Sequence, residues 1–140
     1  MKRRKGKSKT KQRRSSGAPA RPRPKLLKIS EEMERWSALL GSEVATWPGV
    51  RAKPMFGFTS YYRGNLIFAG LPKTKAMNSP NAIIFKFQRP AKALVTALHG
   101  DPRISMSEMG GAGWQCFELT SDADLRDALG WLDRAYRAAA

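Results

Sequence analysis

The chain has 140 residues and carries 26 Lys or Arg against 11 Asp or Glu, for a formal net charge of +15. No apolar run approaches the length of a membrane span, and no apolar stretch follows the N-terminal charges, so neither a membrane protein nor a secretory signal is predicted. One cysteine, Cys116, and one histidine, His99, exclude an internal disulfide and a usual structural zinc site. We expect a cytoplasmic protein without a metal or another cofactor.

Most of the charge lies in a basic arm at residues 1–28, ahead of a predicted domain at residues 29–140. The arm has thirteen Lys or Arg and no acid, whereas the domain has thirteen basic residues against eleven acidic ones and is close to balanced. A segment with this charge and so little apolar content cannot offset the entropy of ordering, so we expect the arm to be disordered on its own.

Clustered Lys and Arg are typical of segments that bind polyanions, because they neutralise phosphates without requiring folded geometry. The sequence predicts contacts to nucleic acid or another polyanion, and does not distinguish DNA from RNA, through these arm residues: Lys2, Arg3, Arg4, Lys5, Lys7, Lys9, Lys11, Arg13, Arg14, Arg21, Arg23 and Lys25. The competing interpretations are a tail for solubility or localisation, and an anionic membrane surface, which the absence of apolar anchors disfavours.

A first helix is predicted to begin at Ser30, a good capping residue, with Glu31 and Glu32 in the first turn where the helix dipole favours acids. Apolar residues at helical spacing indicate one buried stripe, made of Met33, Trp36, Leu39, Leu40, Val44 and Trp47. Pro48-Gly49 is predicted to stop this helix.

Short strands are predicted next, at Val50–Phe56, Phe58–Tyr62, Leu66–Gly70 and, after a polar loop at Leu71–Pro80, Ala82–Phe87. Pro54 suggests that the first of them is an edge strand. The turn Arg63-Gly64-Asn65 indicates a hairpin between the second and third. In the strand Ala82–Phe87, Ile83, Phe85 and Phe87 share one face, and Ile84 and Lys86 share the other.

The remaining elements are a helix from Pro90 to Gly100, a loop at Asp101–Gly113, a strand at Trp114–Leu119 and a final helix. Ser121 and Asp124 resemble a capping box for the final helix. Its inward residues are predicted to be Leu125, Ala128, Leu129, Leu132 and Tyr136. The order α-β-β-β-β-α-β-α predicts the α+β class, a small antiparallel or mixed sheet of about five strands with helices packed on one face.

A family resemblance enters at Met55-Phe56-Gly57 and the following hairpin, Tyr61-Tyr62-Arg63-Gly64-Asn65-Leu66-Ile67-Phe68-Ala69. This stretch resembles the opening hairpin of the TfoX N-terminal domain and of the related YjbR-like domains. The strand around Ile83–Phe87 and the closing strand and helix resemble later elements of the same fold. The resemblance implies a compact α+β module at residues 29–140, in a family associated with competence regulation in bacteria and without known catalysis.

Basic residues also occur along the predicted sheet, and five residues are candidate nucleic-acid contacts of the domain: Tyr62, Arg63, Lys73, Lys75 and Lys86. Tyr61 and Tyr62 could stack bases, but strand alternation places them on opposite faces, so at most one points outward. We favour the simpler interpretation that these cations are solvated edge charges.

Two further features are weighed against simpler alternatives. The glycine-rich Met109–Gly113 could wrap amides around an anion or cover a pocket, but it lacks a Gly-Lys-Ser/Thr ending and is better interpreted as a flexible turn. Cys116 and His99 could form a thiol–imidazole pair, but a cysteine inside a strand is usually inert and buried. We therefore predict no catalytic residue.

Two functions remain open from the sequence. The first is a non-enzymatic binding or regulatory protein whose arm contacts nucleic acid and whose domain adds a second contact or a protein interface. The alternative is a small-ligand or protein-interaction module whose arm serves only solubility or localisation. The alternative predicts a concave apolar pocket near Met55–Phe58 and Gly110–Gly113.

Overall fold

The computed structural model describes residues 26–77, 79–106 and 113–140, which form three α-helices and eight β-strands. The helices are α1 (Glu31–Val44), α2 (Lys92–His99) and α3 (Leu125–Ala138). The strands are β1 (Leu26–Lys28), β2 (Val50–Met55), β3 (Phe58–Arg63), β4 (Leu66–Pro72), β5 (Lys75–Met77), β6 (Ala82–Lys86), β7 (Ile104–Met106) and β8 (Trp114–Glu118). A 3₁₀ turn, Asp122–Asp124, leads directly into α3. Within these ranges, no helix is long and apolar enough to cross a membrane.

Six strands form one antiparallel sheet in the order β2-β3-β4-β6-β8-β7. Strands β1 and β5 pair antiparallel in a separate two-stranded sheet. The predicted α+β class, with an antiparallel sheet and packed helices, is confirmed. Pro54 lies on β2, which is an edge strand as its proline suggested.

Three strands are not predicted by the sequence pattern. Strand β1 lies within the stretch assigned to the arm, β5 lies within the expected loop Leu71–Pro80, and β7 lies within the expected loop Asp101–Gly113. Each is three residues long, which is too short for a period-two pattern to show. The expectation of a loop is also wrong for Leu71, which is buried in β4.

Helix α1 begins as predicted, because the Ser30 hydroxyl accepts a hydrogen bond from the Met33 amide at 3.0 Å. The predicted buried stripe is wrong for Leu39, whose side chain is 51% exposed. Leu39 precedes Leu40 by one residue, and a rotation of about 100° per residue turns it away from the core. Trp47 follows the end of the helix but still packs against the core.

The main core lies between the helices and one face of the sheet. Ile83, Phe85 and Phe87 enter this core together, as the alternation of β6 predicted. All five residues predicted to point inward from α3 belong to it or pack against it, and the capping box at Ser121 and Asp124 is present. Each large side chain buried here contributes about 1.5–3 kcal/mol.

The other face of the sheet carries a smaller buried cluster. Its members are Phe58, Ile84, Trp114 and Cys116, with Ile67 packed against them. None of the three helices contributes a residue to this cluster. The sheet therefore has a helix side and a second face, and the second face is where the charged residues described next are found.

Candidate nucleic-acid interface

Strand register places two basic residues on the second face of the sheet. Arg51 lies opposite Tyr62, and Lys53 lies opposite Ser60, in the β2–β3 pair. Residues directly opposite each other in an antiparallel pair project to the same side. Because Met55 lies opposite Phe58 of the second cluster, Arg51 and Lys53 also belong to this side.

Lys86 joins them from the middle of the sheet. It lies opposite Trp114 in the β6–β8 pair, with its ammonium 5.8 Å from the centroid of the Trp114 ring. The Lys53 ammonium is similarly 5.3 Å from the centroid of the Tyr62 ring. We call Arg51, Lys53, Tyr62 and Lys86 the basic face. Tyr62 is partly exposed whereas Tyr61 is buried, so the alternation predicted for the two tyrosines is confirmed.

Three of the five predicted domain contacts lie elsewhere. Arg63 belongs to the helix side, where its guanidinium donates to the Tyr136 carbonyl at 3.0 Å and its central carbon lies 4.2 Å from the Tyr136 ring centroid. Lys73 and Lys75 are exposed where the chain passes from β4 to β5. The structure thus brings Tyr62 and Lys86 to one face, and it separates Arg63 from them.

Charge within the domain is strongly segregated along the chain. Residues 44–100 contain eight Lys or Arg and no Asp or Glu, a net charge of +8, whereas the rest of residues 29–140 has a net charge of −6. Among the described residues, none of these eight cations forms an ion pair. A domain-wide count hides this segregation, and counting acids segment by segment would have found it.

Several acids on the helix side are paired within the fold. Arg103 pairs with Asp101, Asp124 and Asp127 at 2.9 to 3.0 Å. Hydrogen bonds from Arg103 lower the pKa of Asp101, and the Thr120 amide is the main cause that lowers the pKa of Asp124. These groups hold α3 to the loop before β7.

The turn between β2 and β3 presents an exposed aromatic ring next to Lys73 and Lys75. Phe56 is 88% exposed and has φ +43°, and it is followed by Gly57 with φ +87°. The Gly57 carbonyl accepts hydrogen bonds from the backbone amides of residues 73, 74 and 75 at 2.7, 2.9 and 3.2 Å. The turn is therefore fixed against the segment that carries the two lysines. We call Phe56, Lys73 and Lys75 the Phe56 tip.

A groove lies between α1 and the sheet. It has a volume of about 420 Å³ and is lined by Glu34, Ser42, Thr59, Tyr61 and Lys73, among others. Tyr61 is only 7% exposed, burial raises its pKa, and no hydrogen bond from its hydroxyl to a described residue is present. Thr59 and Lys73 bring this groove close to Phe58, whereas residues 110–112, which were predicted to border a pocket with Met55–Phe58, lie outside the described residues.

Cys116 and His99 are not brought together as a thiol–imidazole pair. Cys116 is buried in the cluster on the second face, whereas His99 ends α2, whose Leu94 and Leu98 pack into the core on the helix side. The described ranges also contain no group of three His, Cys, Asp or Glu that could hold a metal ion. The arm cations from Lys2 to Lys25, and residues 109–112 of the glycine-rich turn, lie outside the described residues.

Comparison with protein-family models, with curated proteins and with solved structures found no match to this chain.

Proposed function

We propose that this chain is a non-enzymatic nucleic-acid-binding protein that contacts phosphates through its arm and through the basic face of its domain. The observation that carries the proposal is the segregation of charge in the folded domain. Eight cations and no acid occupy residues 44–100, and none of these cations forms an ion pair with a described residue.

Cations gathered on one surface repel each other, and a polyanion relieves that repulsion while releasing its own counterions. Strand pairing places Arg51 and Lys53 of β2 and Lys86 of β6 on one face of the sheet, with two strands between them, so they offer phosphates a fixed surface. The arm supplies further positive charge that requires no fixed geometry. Because both parts contact phosphates, we expect weak preference for base sequence and an affinity that falls steeply with salt concentration.

The resemblance to TfoX N-terminal domains belongs to the same proposal. It concerns fold and a regulatory role, and it accounts for neither the arm nor the charge segregation. The cationic surfaces therefore support the binding function independently of that family.

The groove at Tyr61 supports the alternative function, a small-ligand module. A buried hydroxyl that faces a polar groove could donate to a ligand, and Lys73 and Glu34 would contact oppositely charged groups on it. Removing the Tyr61 hydroxyl by Tyr61→Phe should leave nucleic-acid affinity unchanged if the groove is separate from the basic face.

The test is a salt-titrated binding assay on duplex and single-stranded DNA and RNA with three full-length variants. In the arm variant, the twelve cations from Lys2 to Lys25 become Gln. In the face variant, Arg51, Lys53 and Lys86 become Gln. In the control, three exposed arginines of α3, Arg126, Arg134 and Arg137, become Gln, which changes the net charge of the domain equally.

We expect the arm variant to lose most of the affinity. The face variant should lower the slope of log affinity against log salt by about 2 to 3, since each lost phosphate contact is worth roughly 0.7–0.9. The control should retain the parent slope. An arm variant that binds as tightly as the parent at moderate salt would contradict the role of the arm, and equal effects of face variant and control would contradict the role of the basic face.

A further inference from the structure

We propose that Phe56 stacks on an unpaired nucleobase, so that the preferred target is a single strand rather than a duplex. This inference rests on the proposed function and adds to it a site and a class of nucleic acid. Phe56 has a strained backbone conformation and an exposed apolar ring, and each of these features lowers the stability of the folded state.

The Phe56 backbone is in the left-handed region, where it is the only non-glycine residue of the described ranges with positive φ. Met55 and Phe58 are paired, so Phe56 and Gly57 form a two-residue turn with positive φ at both positions. Such turns favour Asn-Gly, Asp-Gly or Gly-Gly, because a bulky side chain at the first position is strained.

Packing does not compensate for this strain. The Phe56 ring is 88% exposed, the highest value among the exposed large apolar side chains of the described residues. Residual strain in a rigidly held turn is more typical of functional positions than of structural ones. A ring held out into solvent at a fixed turn is suited to contact a partner.

The surroundings of the ring indicate what that partner is. Lys73 and Lys75 are exposed on the segment whose amides bind the Gly57 carbonyl, and Lys53 lies three residues before Phe56 on β2. Proteins that bind single strands combine aromatic rings that stack bases with nearby cations that contact the phosphates. Arg51 and Tyr62 continue the basic face along the same hairpin.

A single strand fits this surface better than a duplex. Duplex bases are already stacked, and separating them costs a few kcal/mol per step. Reading a duplex groove commonly requires a helix, and all three helices pack on the side of the sheet opposite the basic face. An anionic membrane would need more apolar area than one ring supplies.

The test compares full-length Phe56 variants on three probes: oligothymidylate, an abasic strand of equal length, and vesicles containing phosphatidylserine. Phe56→Ala should weaken oligothymidylate binding by on the order of tenfold, as expected for one lost stacking contact. It should leave both the abasic strand and the salt slope unchanged. Phe56→Trp should retain binding, whereas Phe56→Leu, which is apolar but not planar, should lose most of it.

Two variants separate binding from folding. Phe56→Gly relieves the backbone strain, so its thermal unfolding temperature should be equal or higher while stacking is lost. Leu39→Ala removes an exposed apolar side chain from α1 on the helix side and should change no affinity.

Three other outcomes would contradict the proposed function, the stacking contact of Phe56, or both. If the parent binds neither strand at low salt, the proposed function and this inference both fail. If the parent binds both strands and Phe56→Ala changes nothing, only the stacking contact fails. If Phe56→Ala and Phe56→Leu differ on vesicles but not on oligothymidylate, the tip contacts lipid instead.

Discussion

The two faces of the six-stranded sheet differ in what their charged side chains contact. On the helix side, Arg103 meets three carboxylates, and Arg35 meets Asp122 at 2.7 Å. On the basic face, the Lys53 and Lys86 ammonium groups lie over aromatic rings. The third cation, Arg51, donates to the Gly64 carbonyl.

This difference separates charges that stabilise the fold from charges that are available to a partner. The cluster of Arg103 and its three carboxylates joins two parts of the fold and stabilises it. If one member is removed, the remaining charges are left partly buried without a partner, which destabilises the folded state. Lys53 is exposed and Lys86 partly exposed, so each gains little from the ring beneath it and can still bind a phosphate. The near-neutral total of the domain therefore hides a basic stretch of the chain, residues 44–100, part of which forms the basic face.

The largest expected effect is on the helix side. Arg103→Gln leaves Asp101, Asp124 and Asp127 without their shared cation, and we expect the free energy of unfolding to fall by about 3 kcal/mol, after allowance for the part of the cluster that faces solvent. Urea denaturation measures this change. Lys53→Gln, the matched change on the basic face, should alter stability by no more than about 0.5 kcal/mol. Similar losses in both variants would remove the distinction between the faces.

The same cluster predicts how stability depends on pH. The pKa values of Asp101 and Asp124 are depressed in the folded state. Their contribution is therefore complete above the unfolded value of about 3.9 and is lost as the pH falls through the lower folded values. Urea denaturation from about pH 6 to pH 2 should show this loss below about pH 4.

Variants can show how much of the stability lost at low pH is due to Asp101 and how much to Asp124. In Arg103→Gln the Asp101 part should fall most, because Arg103 is its main cause and only the Trp131 hydrogen bond remains, whereas most of the Asp124 part should persist through the Thr120 amide. The face variant should keep the parent pH profile. If the face variant lost less stability than the parent below about pH 4, the two surfaces would be electrostatically coupled.

Much of the fold follows from the sequence because long elements leave a periodic signal. The stripe of α1, the alternation of β6 and the capping box at Ser121 each combine several residues that agree with one another. The three short strands leave no such signal, since their pairing depends on segments far apart in the chain. Leu26, for example, is paired with Met77.

The candidate site is predicted less completely for a different reason. Lys86 and Tyr62 carry the residue types that suit nucleic acid, but only strand order shows that they share a face and that Arg63 does not. The exposure of Phe56 could not be predicted either, because an aromatic residue beside a strand is usually buried. Its positive φ is a property of the closed turn, which the sequence Phe-Gly does not favour.

The smallest expected effect compares the two turns at opposite ends of β3. Gly57 and Gly64 both have positive φ, so alanine strains the backbone at either position. A Cβ at Gly64 would meet nothing within 4 Å, whereas a Cβ at Gly57 would lie 2.8 Å from the Lys75 Cβ. We expect Gly64→Ala to cost about 1 kcal/mol and Gly57→Ala about 2 kcal/mol in urea denaturation.

Binding should separate these two variants more clearly than stability does. Gly57→Ala pushes the Phe56 turn away from Lys75, so its affinity for oligothymidylate should fall, whereas Gly64→Ala leaves the Phe56 tip intact and should bind as the parent does. Equal binding by the two variants would mean that the fixed spacing between the aromatic ring and the lysines is not what a single strand recognises. The contribution of the domain would then reduce to the phosphate contacts of Arg51, Lys53 and Lys86, which place no demand on the turn.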